Sequence, residues 1–535
     1  MISRIRHILK RLLGNPFLTL QIVLQKVTKY YEEKTIINSL KNPYLEHCNK
    51  LWKRSNLFDG PYILCDISDN TEFIISNNYF LQVLSEKYNG QIHSFSKKKN
   101  FNLSKIRTSQ NFSGHIQTKL FDKNLLNKKY QILNNAKKTI KSKKHLFDYK
   151  LNDIWIGIDI YETYLRYGSP TVNLKDPELW KIFSDAIELI IFWEDFFKRK
   201  KINSVLLTHD CYVYYNSIAK VAYKYKKPVY FCSVYCYQKA TEPFSLYKDR
   251  FINYRNMFDN LPEKEKVEGV EIAKKQLKKR LSGEVGVNMK YSTKSAFHKN
   301  FKNNVTSISE KIKVLICTHC FFDNPHGYGG MIFLDFFEWL NFLGEISKKT
   351  DYDWYIKTHP DYLPGTLETI RKIIRKYPKF KLLPPDTSFY QLAEEKINFA
   401  LTCFGSVGHE LPMLGINVIN CAYNPHIAYD FNWHARSKEE YEKILKNLPK
   451  LEKKISFEEI YEFFYIHYYY TYVDNLFFNS YNDYVDKVNK ENNSRMEGYK
   501  YFLSEFNMNY HKKIVSDVNE FLDSNKNNFF LKGPE

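Results

Sequence analysis

The sequence predicts an α/β protein built from two Rossmann-like domains with parallel sheets, with helices at both ends of the chain. Three observations carry this. Short apolar runs alternate with helical patterns in two separate regions, the runs end in small or polar residues, and 535 residues leave room for two large α/β domains. Hydrophobic residues at 44% and charged residues at 26% are ordinary for a folded chain, so extended disorder is excluded except at the ends. The 17% aromatic share, beside abundant Lys, Asn and Ile, reflects an AT-rich coding sequence as readily as a binding requirement.

Residues 1–58 read as helices. Ile5, Ile8, Leu9 and Leu12 recur at helical spacing with Arg4, Arg6, Lys10 and Arg11 between them, a basic amphipathic pattern suited to the inner face of a membrane or to docking on the fold. No small-residue cleavage site follows. Thr19, Gln21, Gln25 and Lys26 interrupt the next apolar stretch, so neither a signal peptide nor a spanning helix is expected.

The first domain is expected over 59–254. Tyr62–Cys65 is its first strand and ends at Asp66; residues 97–150, rich in Lys, Asn and Ser, read as an insertion or loop. A long helix follows over Asp176–Lys198. Ser204–Thr208, a helix from Asn216 and Pro228–Phe231 then give strand, helix, strand, the unit of a parallel sheet. Residues 255–310 turn to Lys and Glu and read as a helical linker. The second domain, 311–455, has strands at Val314–Cys317, Trp354–Lys357, Phe380–Leu383, Phe399–Cys403 and Val418–Cys421, alternating with helices; 456–535 reads as a helical tail.

Ligands of open parallel sheets bind beyond the carboxyl ends of the strands, so the residues at those exits are the candidates. In the second domain the exits carry His319 and His326, Lys357 and His359, Asp386 and Ser388, Gly405, Ser406, His409 and Glu410, and His426. Six of the fifteen histidines lie between 319 and 434, more than an even scatter would put there. A lone histidine is usually structural; several at one sheet edge point to a site. Gly405-Ser406 at a strand-to-helix turn suits a diphosphate, because glycine allows close backbone approach and a helix N-terminus favours anions. Ser406, His409 and Glu410 fall on one helical face, where a carboxylate can reach ribose hydroxyls, although a plain cap and dipole partner fit the same spacing. Lys357 and His359 flank Thr358 on extended backbone, so both side chains point one way and can meet one phosphate. Ser388 also opens a Ser-x-x-Gln capping box. Pro412 should kink the helix that Gly415 ends.

The series Lys357-Thr-His359-Pro360, Asp386-Thr-Ser388, Gly405-Ser406-x-x-x-Glu410 and Leu414-Gly415 resembles the C-terminal half of GT-B capsule polysaccharide glycosyltransferases, including the capsule Kdo-transferase group. It is similar also to CDP-glycerol glycerophosphotransferases and, more loosely, to UDP-N-acetylglucosamine 2-epimerases. The resemblance spans about 311–440, and Pro412 departs from it. It implies a GT-B-like fold of two facing domains, with a nucleotide-sugar donor held in the second through Lys357, His359, Ser406 and Glu410, and no metal. No cofactor is expected beyond the nucleotide sugar as co-substrate. The first domain is then expected to hold a capsule or lipopolysaccharide-type glycan or glycolipid acceptor and a general base: His209 or Asp210 after a strand, or Asp66, with Asp159, Glu162 and Arg166 as rivals.

Net charge of +21 implies attraction to polyanions, including phosphates and anionic lipid. No nucleic-acid reader signature is present and the basic residues are spread out, so no specific nucleic-acid partner is expected. A non-enzymatic, membrane-associated polyanion-binding scaffold remains an alternative, as do a polyol-phosphate transferase and a 2-epimerase. Nine scattered cysteines do not form a disulfide framework, and Cys317-x-x-Cys320 lacks a second pair to complete a zinc site; a cytoplasmic location follows, with peripheral attachment to the plasma membrane as an added expectation. Asp351-x-Asp353 precedes its strand, which argues against a metal-dependent GT-A site.

Overall fold

The protein is described from a computed structural model. It describes residues 42–530 apart from 67, 69, 98–103, 233–235, 248–249, 286, 289–293, 302, 453, 472–483, 485–486 and 488–494; the basic amphipathic helix expected at the start of the chain lies outside these. The chain divides into a first unit of Met1–Thr163, Asn173–Leu246 and Tyr472–Glu535, and a second of Tyr164–Val172 and Tyr247–Thr471. Each unit carries the α/β class with a largely parallel sheet that the sequence predicts.

In the first unit, β1 (Tyr62–Cys65), β2 (Gln91–Ser96), β3 (Phe112–Gln117), β4 (Ile202–Leu207) and β5 (Val229–Cys232) run parallel, in the order β5-β4-β1-β2-β3. Two antiparallel strands, β6 (Cys236–Ala240) and Asn528–Phe530, extend the β5 edge. The order reverses between β1 and β4, because β2 and β3 are laid down on one side and β5 on the other. At such a switch point the loops leaving neighbouring strands diverge and open a crevice. Helix α1 (Thr71–Tyr88) covers the sheet with Ile75, Phe80 and Leu84, all fully buried. The C-terminal helices Arg495–Glu505 and Met508–Asp523 close the same core through Phe502, Ile514, Val518 and Phe521, so part of the expected tail belongs to this unit.

Residues 97–150, expected as an insertion or loop, contain ordered elements. β3 escaped notice because its Phe-Ser-Gly-His-Ile-Gln sequence is polar, which an edge strand tolerates. Helix α2 (Lys123–Thr139) hides its apolar stripe, Leu125, Leu126, Ile132, Leu133 and Ala136, among Lys and Asn. Asp122 caps it by accepting from Leu125 N, and it packs on α3 (Pro177–Arg199), where Lys129 meets Glu188 at 2.6 Å. Helix α4 (Tyr212–Lys224) links β4 to β5.

In the second unit, α5 (Glu263–Leu281), expected within a linker, is part of the fold and packs on the helix Phe457–Tyr465. The sheet strands are β7 (Lys313–Cys317), β8 (Asp353–Lys357), β9 (Phe380–Leu382), β10 (Phe399–Thr402), β11 (Asn417–Asn420) and β12 (Trp433–His434). All pair in parallel, in the order β9-β8-β7-β10-β11-β12, and the order reverses between β7 and β10. Side chains alternate across the sheet. Val314, Ile316, Trp354, Ile356 and Leu401 enter one core with α6 (Phe336–Lys348) and α7 (Thr366–Lys376), while Leu315, Cys317, Tyr355, Ala400 and Val418 enter another with α8 (Phe389–Glu394). Burial on both faces is why these strands read as unbroken apolar runs.

Candidate functional site

The reversal between β7 and β10 is where the second unit gathers its polar side chains. Thr402, the last residue of β10, accepts the Gly405 N–H through Oγ1 at 3.1 Å and lies 2.9 Å from His319 Nε2. Cys403 N–H donates to that same nitrogen at 3.0 Å. An amide can only donate, so Nε2 is an acceptor and the His319 proton sits on Nδ1. Burial, with the charge of His359 adding to it, lowers His319 to about 3, so the ring is neutral. It stacks on Phe336 with centroids 4.8 Å apart. Gly405 is needed for close approach rather than for an unusual φ: a Cβ there would lie 2.8 Å from Thr402 Oγ1.

A cavity of about 340 Å³ opens here, at the small end of the range for a bound small molecule. Its polar lining includes Arg280, His319, Lys357, His359, Ser406 and Glu410. Lys357, the last residue of β8, is 2% exposed; its Nζ donates to Pro385 O at 2.8 Å and lies 5.3 Å from the Phe389 ring centroid. One donor of three is used there, which leaves the ammonium able to serve a ligand. Burial lowers Lys357 to about 8, against the opposing pull of Cys317 and Asp386. His359 sits on the rim, where its Nδ1 accepts from Asp361 N at 3.0 Å.

The expected helix after Ser406 is a single turn, α9 (Val407–Glu410), followed by a 3₁₀ turn at Pro412–Leu414 and left-handed Gly415 at φ 82°. Pro412 lacks the N–H that would continue the α pattern. So short a helix has little dipole, which leaves anion binding to the side chains. The Ser406 hydroxyl makes no capping hydrogen bond. Glu410, 2% exposed, is paired with Arg280 Nε near the C-terminus of α5. Burial opposes the Arg280 charge, and the Glu410 carboxylate more than offsets this, so its pKa is raised.

His409 and His426 also line the cavity but are not cations. His409 Nδ1 lies 3.1 Å from His426 Nε2, both rings are buried against Phe463, and burial lowers both well below the ordinary value. Gly408 makes room for the pair, since a Cβ there would stand 2.4 Å from His426 Cε1. The remaining candidates lie outside the cavity lining. His326 is buried with Nε2 3.2 Å from Phe333 O, Ser388 caps α8 by accepting from Tyr390 N at 3.2 Å, and Asp386 is exposed. Arg280 was missed from sequence, where it is the sole arginine in the lysine-rich run of α5; that substitution of fork for point charge was the available signal.

In the first unit the reversal between β1 and β4 brings Asp66 to Thr208. Asp66 Oδ2 accepts from Thr208 Oγ1 at 2.5 Å and from Thr208 N at 3.2 Å, while Oδ1 is buried without a hydrogen-bond partner among the described residues. Thr208 Oγ1 lies 2.9 Å from His209 Nδ1. Burial raises Asp66 to about 6, outweighing the Thr208 hydrogen bonds. Above that pH the Thr208 proton points at the carboxylate, so His209 Nδ1 must donate to the hydroxyl and Nε2 becomes the basic nitrogen. His209 is exposed, with its ring centroid 4.9 Å from Tyr215. Asp210, half-buried, is raised to about 6 by burial, with Glu162 and Asp159 adding to it. Asp159 is a structural partner, at 2.6 Å from Lys220 Nζ and 2.9 Å from Asn216 Nδ2. Arg166 belongs to the second unit, where its NH1 lies 3.4 Å from Phe322 O.

No protein-family model and no curated protein sequence matches the chain. Among solved structures, the chain is similar to a KpsC β-Kdo 2,4-transferase of Thermosulfurimonas dismutans, at 14% identity over 50% of this chain and 81% of that one, with a TM-score of 0.31. It is similar also to MnaA of S. aureus in a co-structure with UDP, at 11% identity over 86% and 97% of the two chains and a TM-score of 0.25. A third is the UDP-GlcNAc 2-epimerase of Neisseria meningitidis bound to UDP-GlcNAc, at 14% identity, 83% and 99% coverage and a TM-score of 0.22.

Proposed function

We propose that the protein is a glycosyltransferase, moving a sugar from a nucleotide-sugar donor to a surface-type glycan or glycolipid acceptor, with the donor held in the second unit and the acceptor in the first. The observation that carries this reading is the cavity at the β7/β10 reversal, where Lys357, Ser406, the Gly405 turn and Glu410 converge beside a neutral His319. Lys357 and Ser406 suit the donor phosphates, and Glu410, fixed by Arg280, suits the hydroxyls of a ribose.

In the transfer, the bond from the anomeric carbon to the donor phosphate oxygen breaks and its electron pair stays on the phosphate. Lys357 offsets that charge, so the reading requires no metal. An acceptor hydroxyl forms the new bond, and its proton passes to His209 Nε2, the basic nitrogen set by the Asp66–Thr208–His209 chain. Asp210 is the second candidate for that proton. Nucleotide sugars and lipid-linked acceptors meet at the cytoplasmic face of a membrane, and the reaction is assigned there. Among the described residues no helix is long and apolar enough to cross a bilayer.

A thermal-shift screen against UDP-, GDP-, CMP- and CDP-linked sugars tests the donor site. A ligand at about 100 times its Kd should stabilise the protein by roughly 2.7 kcal/mol. A screen in which no nucleotide raises the melting temperature refutes the reading. Conversion of the sugar without any acceptor would favour a 2-epimerase instead.

A further inference from the structure

We infer that α2 and the turns at either end of it form a surface that docks on a bilayer containing anionic lipid. The inference rests on the membrane-side location proposed above and is independent of the donor chemistry. From Lys119 to Lys144 the chain carries nine lysines and one acid, Asp122, and that acid is occupied as the α2 cap. The apolar stripe of α2 faces α3, which turns Lys123, Lys137 and Lys138 to solvent; Lys119 and Lys141 are exposed beside them. Two large aromatic side chains share this surface: Phe121 is 71% exposed and Tyr130 56% exposed. Lys119 Nζ stands 5.4 Å from the Phe121 ring centroid, so a cation and an apolar ring are presented together.

The first half of α5 differs: over Glu263–Lys274 the lysines are interleaved with glutamates, and Lys264–Glu268, Lys266–Glu263 and Lys274–Glu271 pair at 3.8, 3.7 and 2.7 Å. Lys129 and Lys144 pair with Glu188 and Asp148, and an exposed phenylalanine beside Lys119, Lys123, Lys137, Lys138 and Lys141 fits the headgroup region of a bilayer, where the ring enters the acyl boundary while the ammonium groups stay at the phosphates. Charge complementarity selects anionic over zwitterionic lipid. Single-stranded RNA would also satisfy the lysines and stack on Phe121 and Tyr130, and the test below separates it from lipid.

The test is cosedimentation of the full chain with vesicles of phosphatidylcholine alone and of phosphatidylcholine with phosphatidylglycerol, over a range of salt. The wild type should bind the anionic vesicles and be released by salt. Each exposed lysine is worth about fivefold, so F121S/K137Q/K138Q/K141Q should bind roughly a hundredfold more weakly. A control with the same loss of charge on α5, K264Q/K275Q/K279Q, should bind like the wild type. Single substitutions at Lys137, Lys138 and Lys141, each expected to weaken binding about fivefold, keep the test decisive if the quadruple variant folds poorly. Equal binding by wild type and patch variants overturns this surface but leaves the membrane location standing. Failure of the wild type to bind anionic vesicles overturns both. Equal weakening by the α2 and α5 variants assigns the effect to net charge, and loss of single-stranded RNA binding with retained vesicle binding assigns the patch to nucleic acid; either result overturns the inference.

Discussion

Replacing Arg280 by methionine isolates the buried ion pair that lines the cavity at the β7/β10 reversal. The Arg280 and Glu410 side chains are 12% and 2% exposed, so the substitution leaves a carboxylate in a site that water hardly reaches. Removing one partner of a buried pair costs about 3–5 kcal/mol, because the desolvation penalty of the other charge is no longer offset. For a unit of this size that corresponds to a fall in melting temperature of about 10 °C. The double variant R280M/E410Q removes the stranded charge and should recover most of the loss, which separates electrostatics from packing. Thermal and urea unfolding of the wild type, both single variants and the double variant complete the cycle. An R280M protein that melts with the wild type, or a double variant no more stable than R280M, would show that the pair does not organise the cavity.

Further outcomes follow from the same geometry. Lys357 is held at about 8 by burial in the free protein, so the Kd for a nucleotide should be flat below that pH and rise up to tenfold per pH unit above it; K357Q should abolish the break in a calorimetric titration. His409 and His426 are lowered below 6.5 by burial, so the unfolded chain takes up protons that the folded protein refuses. Stability should therefore fall as pH drops below about 6.5, and the slope should be shallower in H409F, read by urea unfolding at several pH values. Gly408→Ala would force a Cβ to within 2.4 Å of the buried His426 ring and should cost about 1–3 kcal/mol in the same assay. Thr208→Val breaks the link from Asp66 to His209, so turnover should fall by at least about tenfold with little change in donor KM, and a wild-type kcat in that variant would remove His209 from its assigned role.

The second unit was far more legible in the sequence than the first. Its strands are buried on both faces and read as apolar runs such as Val314–Cys317 and Trp354–Lys357, and their exits could be searched directly. In the first unit β2 and β3 carry Gln91, His93, Ser94, His115 and Gln117, and α2 sets its few apolar residues among lysines, so periodicity was masked. Within the site, Lys357, Ser406 and Glu410 could be named because strand ends announce themselves locally. Arg280 could not, since its partner lies 130 residues away. Pro412 was expected to kink the Ser406 helix; instead the α pattern stops before it at Glu410 and a 3₁₀ turn follows, so the helix dipole on which the sequence reading relied is small. His326 and Ser388 also stand near strand exits, but they lie outside the cavity lining, with hydrogen bonds to Phe333 O and from Tyr390 N.

The most direct test is a crystal structure of the protein grown with whichever nucleotide raises its melting temperature most. Nucleotide phosphate oxygens are expected within hydrogen-bond distance of Lys357 Nζ and Ser406 Oγ, and a ribose hydroxyl at Glu410. A nucleotide bound away from the β7/β10 reversal, with this cavity holding only solvent, would contradict it.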